Sequence, residues 1–223
     1  MSDLQFLFVV RFAYPGLGMF QIEHRTVEER QAHLWTPERM DSRFRTLEHI
    51  CLRTLRQQTD DRFRTLILTG DALPRPYRTR LQDLAAALPG ADIAFHPPRQ
   101  QKEALAEVIR PMVDRDGGPV VYVRQDDDDG VGRKFVARCR HVFSDVRPLF
   151  ERHGRIALDF NRGYRIQLTP EGPRVQDLFE THIGVAQAIV LKASNPRTGM
   201  HFPHHRLGQI MPSVSIPDAL MWL

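Results

Sequence analysis

Cysteine is scarce in this 223-residue chain: there are two, Cys51 and Cys139. They share no metal-ligand spacing and form no framework, so a disulfide scaffold and a cysteine-based zinc site are both excluded. Both fall in segments of helical spacing and read as reduced, buried thiols of a reducing compartment. Lysine is scarcer still for its type, limited to Lys102, Lys134 and Lys192, so nearly all the positive charge is arginine. Long apolar runs are missing. Phe6 to Val10 is far shorter than the roughly 20 residues a membrane-spanning helix needs, and Met1 to Gln5 lacks the basic region of a leader. Internal repeats and low-complexity tracts are also missing. These absences predict a cytoplasmic protein, which could still touch a membrane surface.

What is present suits one sizeable α/β unit. Hydrophobic residues make up 42% of the chain, enough for a packed core without staples. Charge is nearly balanced: 31 Lys+Arg against 27 Asp+Glu leaves +4. The arginines are spread along the chain and no nucleic-acid motif accompanies them, so a nucleic-acid partner is not expected. Most of them read as the product of G- and C-rich coding. One or two could use the planar guanidinium fork on phosphate.

The apolar run LQFLFVVRF (Leu4 to Phe12), bounded by Pro15, Gly16 and Gly18, predicts a buried strand and then a loop. Thr36 as a cap, Pro37 in the first position and Glu38 in the first turn predict a helix. Its apolar face is Met40, Phe44, Leu47, Ile50, Cys51 and Leu55, and it ends near Gln57. RFRTLILTG (Arg62 to Gly70) predicts a second strand, Tyr77 to Ala87 a helix, and ADIAFHPP a third strand. Glu103 to Val113 predicts a helix, and VVYV (Val120 to Val123) a fourth strand. This β-α-β-α-β-α-β order argues for a parallel sheet flanked by helices. A helix is expected from about Arg133 to Glu151. RIALDFNRGYRIQL, with Gly163 at its middle, reads as a hairpin or two short strands. The tail from Ser194 shows little periodicity.

The strongest chemical signal is VYVRQDDDDGVG, where Asp126 to Asp129 directly follow a buried strand. Ligands of open parallel sheets bind beyond the carboxyl ends of the strands. Four clustered carboxylates repel one another unless something positive joins them. A hard cation such as Mg2+ or Mn2+, held by one or two carboxylates and by substrate phosphates, is the natural partner. If the run stays extended, Asp126 and Asp128 point to one side and Asp127 and Asp129 to the other.

The phrase LRTLRQQTDDRFRTLILTGDAL, the strand order and VRQDDDDG after the fourth strand resemble inverting glycosyltransferases of the GT-A fold. The wider RF…QTD…RL…RxDDDD pattern, with a later FNRGY phrase, resembles the bacterial rhamnosyltransferase family over roughly residues 6 to 210. The resemblance implies a GT-A-like, Rossmann-type mixed and mostly parallel sheet flanked by helices. It divides one continuous domain into a nucleotide-sugar-binding half, residues 1–132, and an acceptor-side half, residues 133–223. It implies a D-x-D-type motif in which Asp126 meets the ribose or the metal's water shell and Asp128 binds Mn2+ or Mg2+. It places Arg11 beside the nucleotide and Asp71 near the base, and lets Arg124 pair with a carboxylate or phosphate. The donor would be a UDP- or dTDP-sugar, carrying rhamnose or another hexose, and the acceptor a glycan or a lipid-linked glycan. The Gly130-Val131-Gly132 continuation departs from the usual motif, and four aspartates in a row leave the ligand register open by one residue.

Histidines often close such metal sites, which makes His204 and His205 of HFPHHRL candidate ligands, with His201 beside them. An inverting transfer needs a carboxylate to take the acceptor's proton. Candidates on the acceptor side are Glu180, Asp177 and Asp159, and the spacing of Asp177 and Glu180 suggests a shared helix face. Phe160, Tyr164 and Phe179 could stack on a sugar or base but read first as core aromatics, and Trp222 reads as core or as a truncation point. A nucleotidyltransferase or phosphotransferase using the same aspartates is an alternative, although PGLG (Pro15 to Gly18) is a poor phosphate loop. A catalytically inactive cation-binding domain is another.

Overall fold

The computed structural model describes residues 4–17, 26–217 and 220–223. Gly18 of the PGLG stretch and the first three residues of the Met1 to Gln5 segment lie outside the described residues. The strands are β1 (Gln5–Arg11), β2 (Arg64–Gly70), β3 (Ala91–His96), β4 (Val120–Asp126), β5 (Arg155–Phe160), β6 (Arg162–Thr169), β7 (Gly172–Phe179), β8 (Gln187–Leu191) and β9 (Ser213–Ile216). The helices are α1 (Val27–Leu34), α2 (Pro37–Thr46), α3 (Leu52–Arg56), α4 (Arg75–Ala86), α5 (Gln101–Ile109), α6 (Phe135–His153) and α7 (Leu207–Ile210). Seven strands form one sheet in the order β3-β2-β1-β4-β8-β5-β9, and β6 pairs with β7 in a separate ribbon. β1 to β4 are mutually parallel. β8 runs antiparallel to both β4 and β5, and β9 is parallel to β5. The sheet is therefore mixed and mostly parallel, with one reversed strand.

Alternation along β1 explains its unbroken apolar sequence. Phe6, Phe8 and Val10 enter one core layer, and Leu7 and Val9 the other. A strand buried on both faces has no position for a polar residue until its end. The first layer lies under Met40, Phe44, Leu47, Cys51, Leu52 and Leu55 of the α2–α3 segment and under Phe135, Val136 and Cys139 of α6. The second lies under Ala104, Leu105 and Ile109 of α5 and under Met200, Phe202, Leu207 and Met211 of the tail.

Several sequence expectations need correcting. Thr36 makes no side-chain cap; Pro37 and Glu38 start α2 without it. The long helix is interrupted by a π-helical turn, Leu47–Cys51. α1 has no counterpart in the sequence reading, because its apolar face is weak. It starts on a true cap, Thr26 Oγ1 accepting from the Glu29 N–H at 3.1 Å. Of the two readings of RIALDFNRGYRIQL, two short strands form (β5 and β6), and Gly163 does not turn a hairpin. β5 joins the main sheet, and the hairpin is β6–β7, turning at Pro170 and Glu171. Asp177 and Glu180 share no helix face: Asp177 lies in β7 and Glu180 just beyond it. The tail is less irregular than its composition suggests, since β9 completes the sheet edge.

Trp222 belongs to the core, at 4% exposure. Its indole Nε1 donates to the Phe160 carbonyl at 2.7 Å, and its backbone bridges Val131 on one side and Gly163 on the other. Gly163 is glycine because the indole lies flat against it: a Cβ there would overlap the ring. Gly163→Ala must push the indole out. The expected loss is about 1–3 kcal/mol for an overpacked core position, read as a lower urea midpoint at unchanged slope. An unchanged midpoint would show that the Trp222 segment is not held by this contact.

Candidate active site

β2 and β3 lie to one side of β1, whereas β4 lies on the other. Chain order therefore reverses between β1 and β4, and the crevice beyond their carboxyl ends is the usual ligand position of an open α/β sheet. β1 ends at Arg11 and β4 at Asp126, and these two are direct partners in the ladder. The Arg11 guanidinium Nη2 sits 2.6 Å from Asp126 Oδ1. Gln101, with its amide oxygen turned to the guanidinium, accepts from Arg11 Nε at 3.3 Å.

The aspartates do not stay extended, so the expected two-sided alternation fails. β4 continues three residues past the predicted Val123 and delivers Asp126 as its last residue. Beyond it the chain turns, the Asp129 N–H donating to the Asp126 carbonyl at 3.1 Å. The Asp126 N–H donates to Asp129 Oδ2 at 3.4 Å, and Gln125 Nε2 to the Asp129 carbonyl at 3.0 Å. Asp127 turns inward to Arg43 of α2, whose Nη1 lies 2.6 Å from Asp127 Oδ1 and 3.3 Å from Asp128 Oδ2.

The glycines after the run allow a tight fit. Gly130 exchanges both backbone hydrogen bonds with Leu223, at 2.7 and 3.0 Å, and the Gly132 N–H donates to the Met221 carbonyl at 2.8 Å. The QTD phrase holds the same loop from the other side. Gln58 donates to the Gly132 carbonyl at 2.9 Å and accepts from the Val136 N–H at 3.1 Å. The Thr59 N–H donates to the Arg133 carbonyl at 2.9 Å, and Thr54 Oγ1 accepts from the Val131 N–H at 3.2 Å.

The charges respond to this packing. Burial pushes the Asp126 carboxyl up, but Arg11, then Arg124 and Arg43, outweigh it, and its pKa falls below the ordinary value. Asp127 rises to about 7 through burial and then the repulsion of Asp128 and Asp126, with Arg43 opposing. Asp129 also rises to about 7, through burial and then Asp126 and Asp128. Burial and then Arg11 lower Arg124. Two buried oxygens of this segment, Gln125 Oε1 and Asp127 Oδ2, have no hydrogen-bond partner.

The remaining sequence candidates lie on several different elements. Asp71 follows β2, exposed, its N–H donating to the His96 carbonyl at 3.2 Å. His204 lies within the field of Arg124 and Asp126. Burial lowers its pKa first, Arg124 and His205 lower it further, and Asp126 pulls the other way. His205 is exposed, with its ring edge-on to His204 at 5.3 Å. His201 is occupied locally in a capping box with Thr198. Among the described residues, no three His, Cys, Asp or Glu form a group that could already hold a metal ion. Glu180 is exposed, anchored by its N–H to the Asn161 carbonyl at 2.8 Å. Asp177 faces Tyr164 across the ribbon. Asp159 is wholly buried, with Oδ1 accepting from the His182 N–H at 3.0 Å and Oδ2 from Ser215 Oγ at 2.9 Å. It braces the loop that carries Glu180 and His182.

Sequence reasoning missed Arg43, Gln58, Gln101 and His182. Gln58 sat in plain view within a quoted phrase. Arg43 carried no signal, since it is one of many arginines on a polar helix face.

Sheet order, the reversed strand and an acidic turn at the switch point define an α/β fold of the GT-A type. The chain belongs to the family described as "Putative rhamnosyl transferase", whose model matches residues 5–223. Among solved structures, the mannosyltransferase PcManGT from Pyrobaculum calidifontis, in complex with GDP-Man and Mn2+, shares the fold. It matches at a TM-score of 0.51 and 12% identity, over 97% of this chain and 56% of that one. S. aureus TarS 1-349 in complex with UDP-GlcNAc matches at 0.46 and 8% identity, over 98% of this chain. The chain spans 57% of the length of that TarS fragment. No curated protein matches the sequence. No helix among the described residues is long and apolar enough to cross a membrane.

Asp129→Asn tests the crowding of the run. A carboxyl whose folded pKa is raised costs stability as pH climbs from its unfolded value near 4 to its folded value near 7. In EDTA at pH 8 the variant should therefore be more stable by roughly 1 kcal/mol or more. The gain should fade as pH falls toward 4 and vanish below it, where the carboxyl is protonated in both states. A pH-independent difference in denaturation midpoint would mean that Asp129 is not crowded.

Proposed function

We propose that this glycosyltransferase moves a sugar, rhamnose or another hexose, from a UDP- or dTDP-sugar donor to a glycan or lipid-linked acceptor on the cytoplasmic side. The observation that carries this reading is the acidic turn at the β1/β4 switch point, walled by Arg11 and Arg124. GDP-Man and Mn2+ in the complex of the mannosyltransferase that shares the fold support a nucleotide-sugar donor and a divalent cation.

The residues present fit Mg2+ or Mn2+. The donors are oxygens, suited to a hard cation. Asp126 and Asp128 are the open members of the run, their side chains 42% and 53% exposed. Asp126 and Asp128 would hold the cation, with His204 or His205 closing the site and substrate phosphates completing the set. The cation there supplies neutralisation of the charge that develops on the leaving diphosphate. Arg11 and Arg124 place fixed positive charge beside the same phosphates, and Asp71 stands near the base. The acceptor oxygen attacks the anomeric carbon as the bond to the diphosphate oxygen breaks, inverting that carbon. The acceptor's proton passes to Glu180, with Asp177 next in line. Buried Asp159 keeps the Glu180 loop in place.

A thermal-shift panel of nucleotide sugars, with and without Mn2+, tests the donor side. Binding at about 100 times the dissociation constant adds roughly 2.7 kcal/mol of stability. UDP or dTDP should bind only with the cation, and Asp128→Asn should abolish that shift while the apo protein stays folded. Equal nucleotide affinity in EDTA would remove the bridging role of Asp128.

The acceptor side is tested separately. Glu180→Gln should slow transfer by roughly 10²–10⁴-fold, the usual worth of a general base, with donor affinity unchanged. Normal turnover in this variant would move the base to another residue.

A further inference from the structure

The transfer scheme leaves Arg43 without a task, yet it makes the closest contact to the middle of the acidic run. Its two contacts are unlike. The one to Asp127 is short, 2.6 Å, and its carboxylate is 6% exposed; the one to Asp128 is 3.3 Å, and its carboxylate is 53% exposed. The helix behind Arg43 is fixed, because Met40, Phe44 and Leu47 are fully buried in the first core layer. Arg80 of α4 stacks on the Phe44 ring at 4.5 Å and ties α4 to it. The side chain of Arg43 itself is about a third exposed. A guanidinium spanning two carboxylates occupies the same charge balance that a divalent cation would.

We propose that Arg43 is the resident cation of the acidic run, keeping Asp127 out of metal coordination and releasing Asp128 when a divalent cation arrives. Arg43 is thus a positioning residue that settles the ligand register left open by four consecutive aspartates: Asp126 and Asp128 ligate, and Asp127 belongs to the protein. The inference rests on the metal-dependent reading above. It adds that cation binding must displace one arginine contact and not the other.

The test is Mn2+ binding to the full chain without nucleotide, followed by the electron paramagnetic resonance signal of the free ion. Arg43→Ala should bind Mn2+ about 10-fold more tightly, a change of about 1.4 kcal/mol, because a competitor is gone and Asp127 is released. Adding Asp127→Asn to Arg43→Ala should return the affinity toward wild type, whereas Asp128→Asn should weaken binding in either background. Arg39→Ala, one turn earlier on the same helix, controls for loss of charge alone and should change affinity less than 3-fold. Arg43→Gln keeps a donor for Asp127 and guards against misfolding; circular dichroism confirms that each variant folds. Unchanged or weaker Mn2+ binding in both Arg43 variants, or equal tightening in Arg39→Ala, overturns the proposal while the metal reading stands. No Mn2+ uptake by wild type or any variant overturns both.

Discussion

Four consecutive carboxylates at the end of a buried strand repel one another, and the surrounding structure is built to contain that repulsion. Neutralisation is unequal. Arg11 wins at Asp126, which ionises more readily than usual, while Asp127 and Asp129 are held near pKa 7 by burial and by their neighbours. Within one run, then, one member is held ionised while two others titrate near neutrality. The arginines come from different elements: Arg11 from the strand beside the run, Arg43 from a helix on one face of the sheet. Local sequence alone therefore does not assemble the balance.

Containment is mechanical as well as electrostatic. The loop after the run is held between Leu223 and Met221 on one side and Gln58, Thr59 and Thr54 on the other. Glycines at 130 and 132 let those backbones approach. A Cβ at Gly130 would sit 3.0 Å from the Leu223 side chain, and one at Gly132 would sit 3.1 Å from the Leu220 carbonyl. The departure from the usual motif thus has a packing cause. The final residues reach the loop because Trp222 is pinned against Gly163 and Phe160.

Where a segment's neighbours in sequence are also its neighbours in space, the sequence was readable. The β-α alternation of the first half, the apolar β1 and the helix after the aspartates all follow from periodicity, and the switch-point logic then put the acidic run at the ligand end of the sheet. Reading failed where tertiary pairing decides. β6 and β7 carry exposed Leu168, Val175 and Phe179, so their pattern mimics neither a core strand nor a helix face. α1 lacks an apolar stripe. Asp159 was a base candidate because it is a carboxylate of the acceptor-side half. Only the packed structure shows both of its oxygens taken by His182 and Ser215.

That buried carboxylate links several strands of the main sheet to the loop after β7. Asp159 lies in β5, which pairs with β8, and β8 in turn lies against β4, the strand that carries the aspartates. Through one oxygen it fixes the backbone of His182, held at a positive φ of 58°, and through the other it fixes β9. Gln187, the first residue of β8, donates to His182 Nδ1 at 2.9 Å and orients the ring. A non-glycine residue is kept in that conformation only where its surroundings over-determine it. Here the over-determination comes from the same sheet that carries the acidic run. The loop bearing Glu180 is therefore referenced to β4 through two strand pairings rather than through a flexible linker. In the transfer scheme proposed above, the donor-side charges and the acceptor-side carboxylate would then share one frame, as a single displacement with in-line geometry requires.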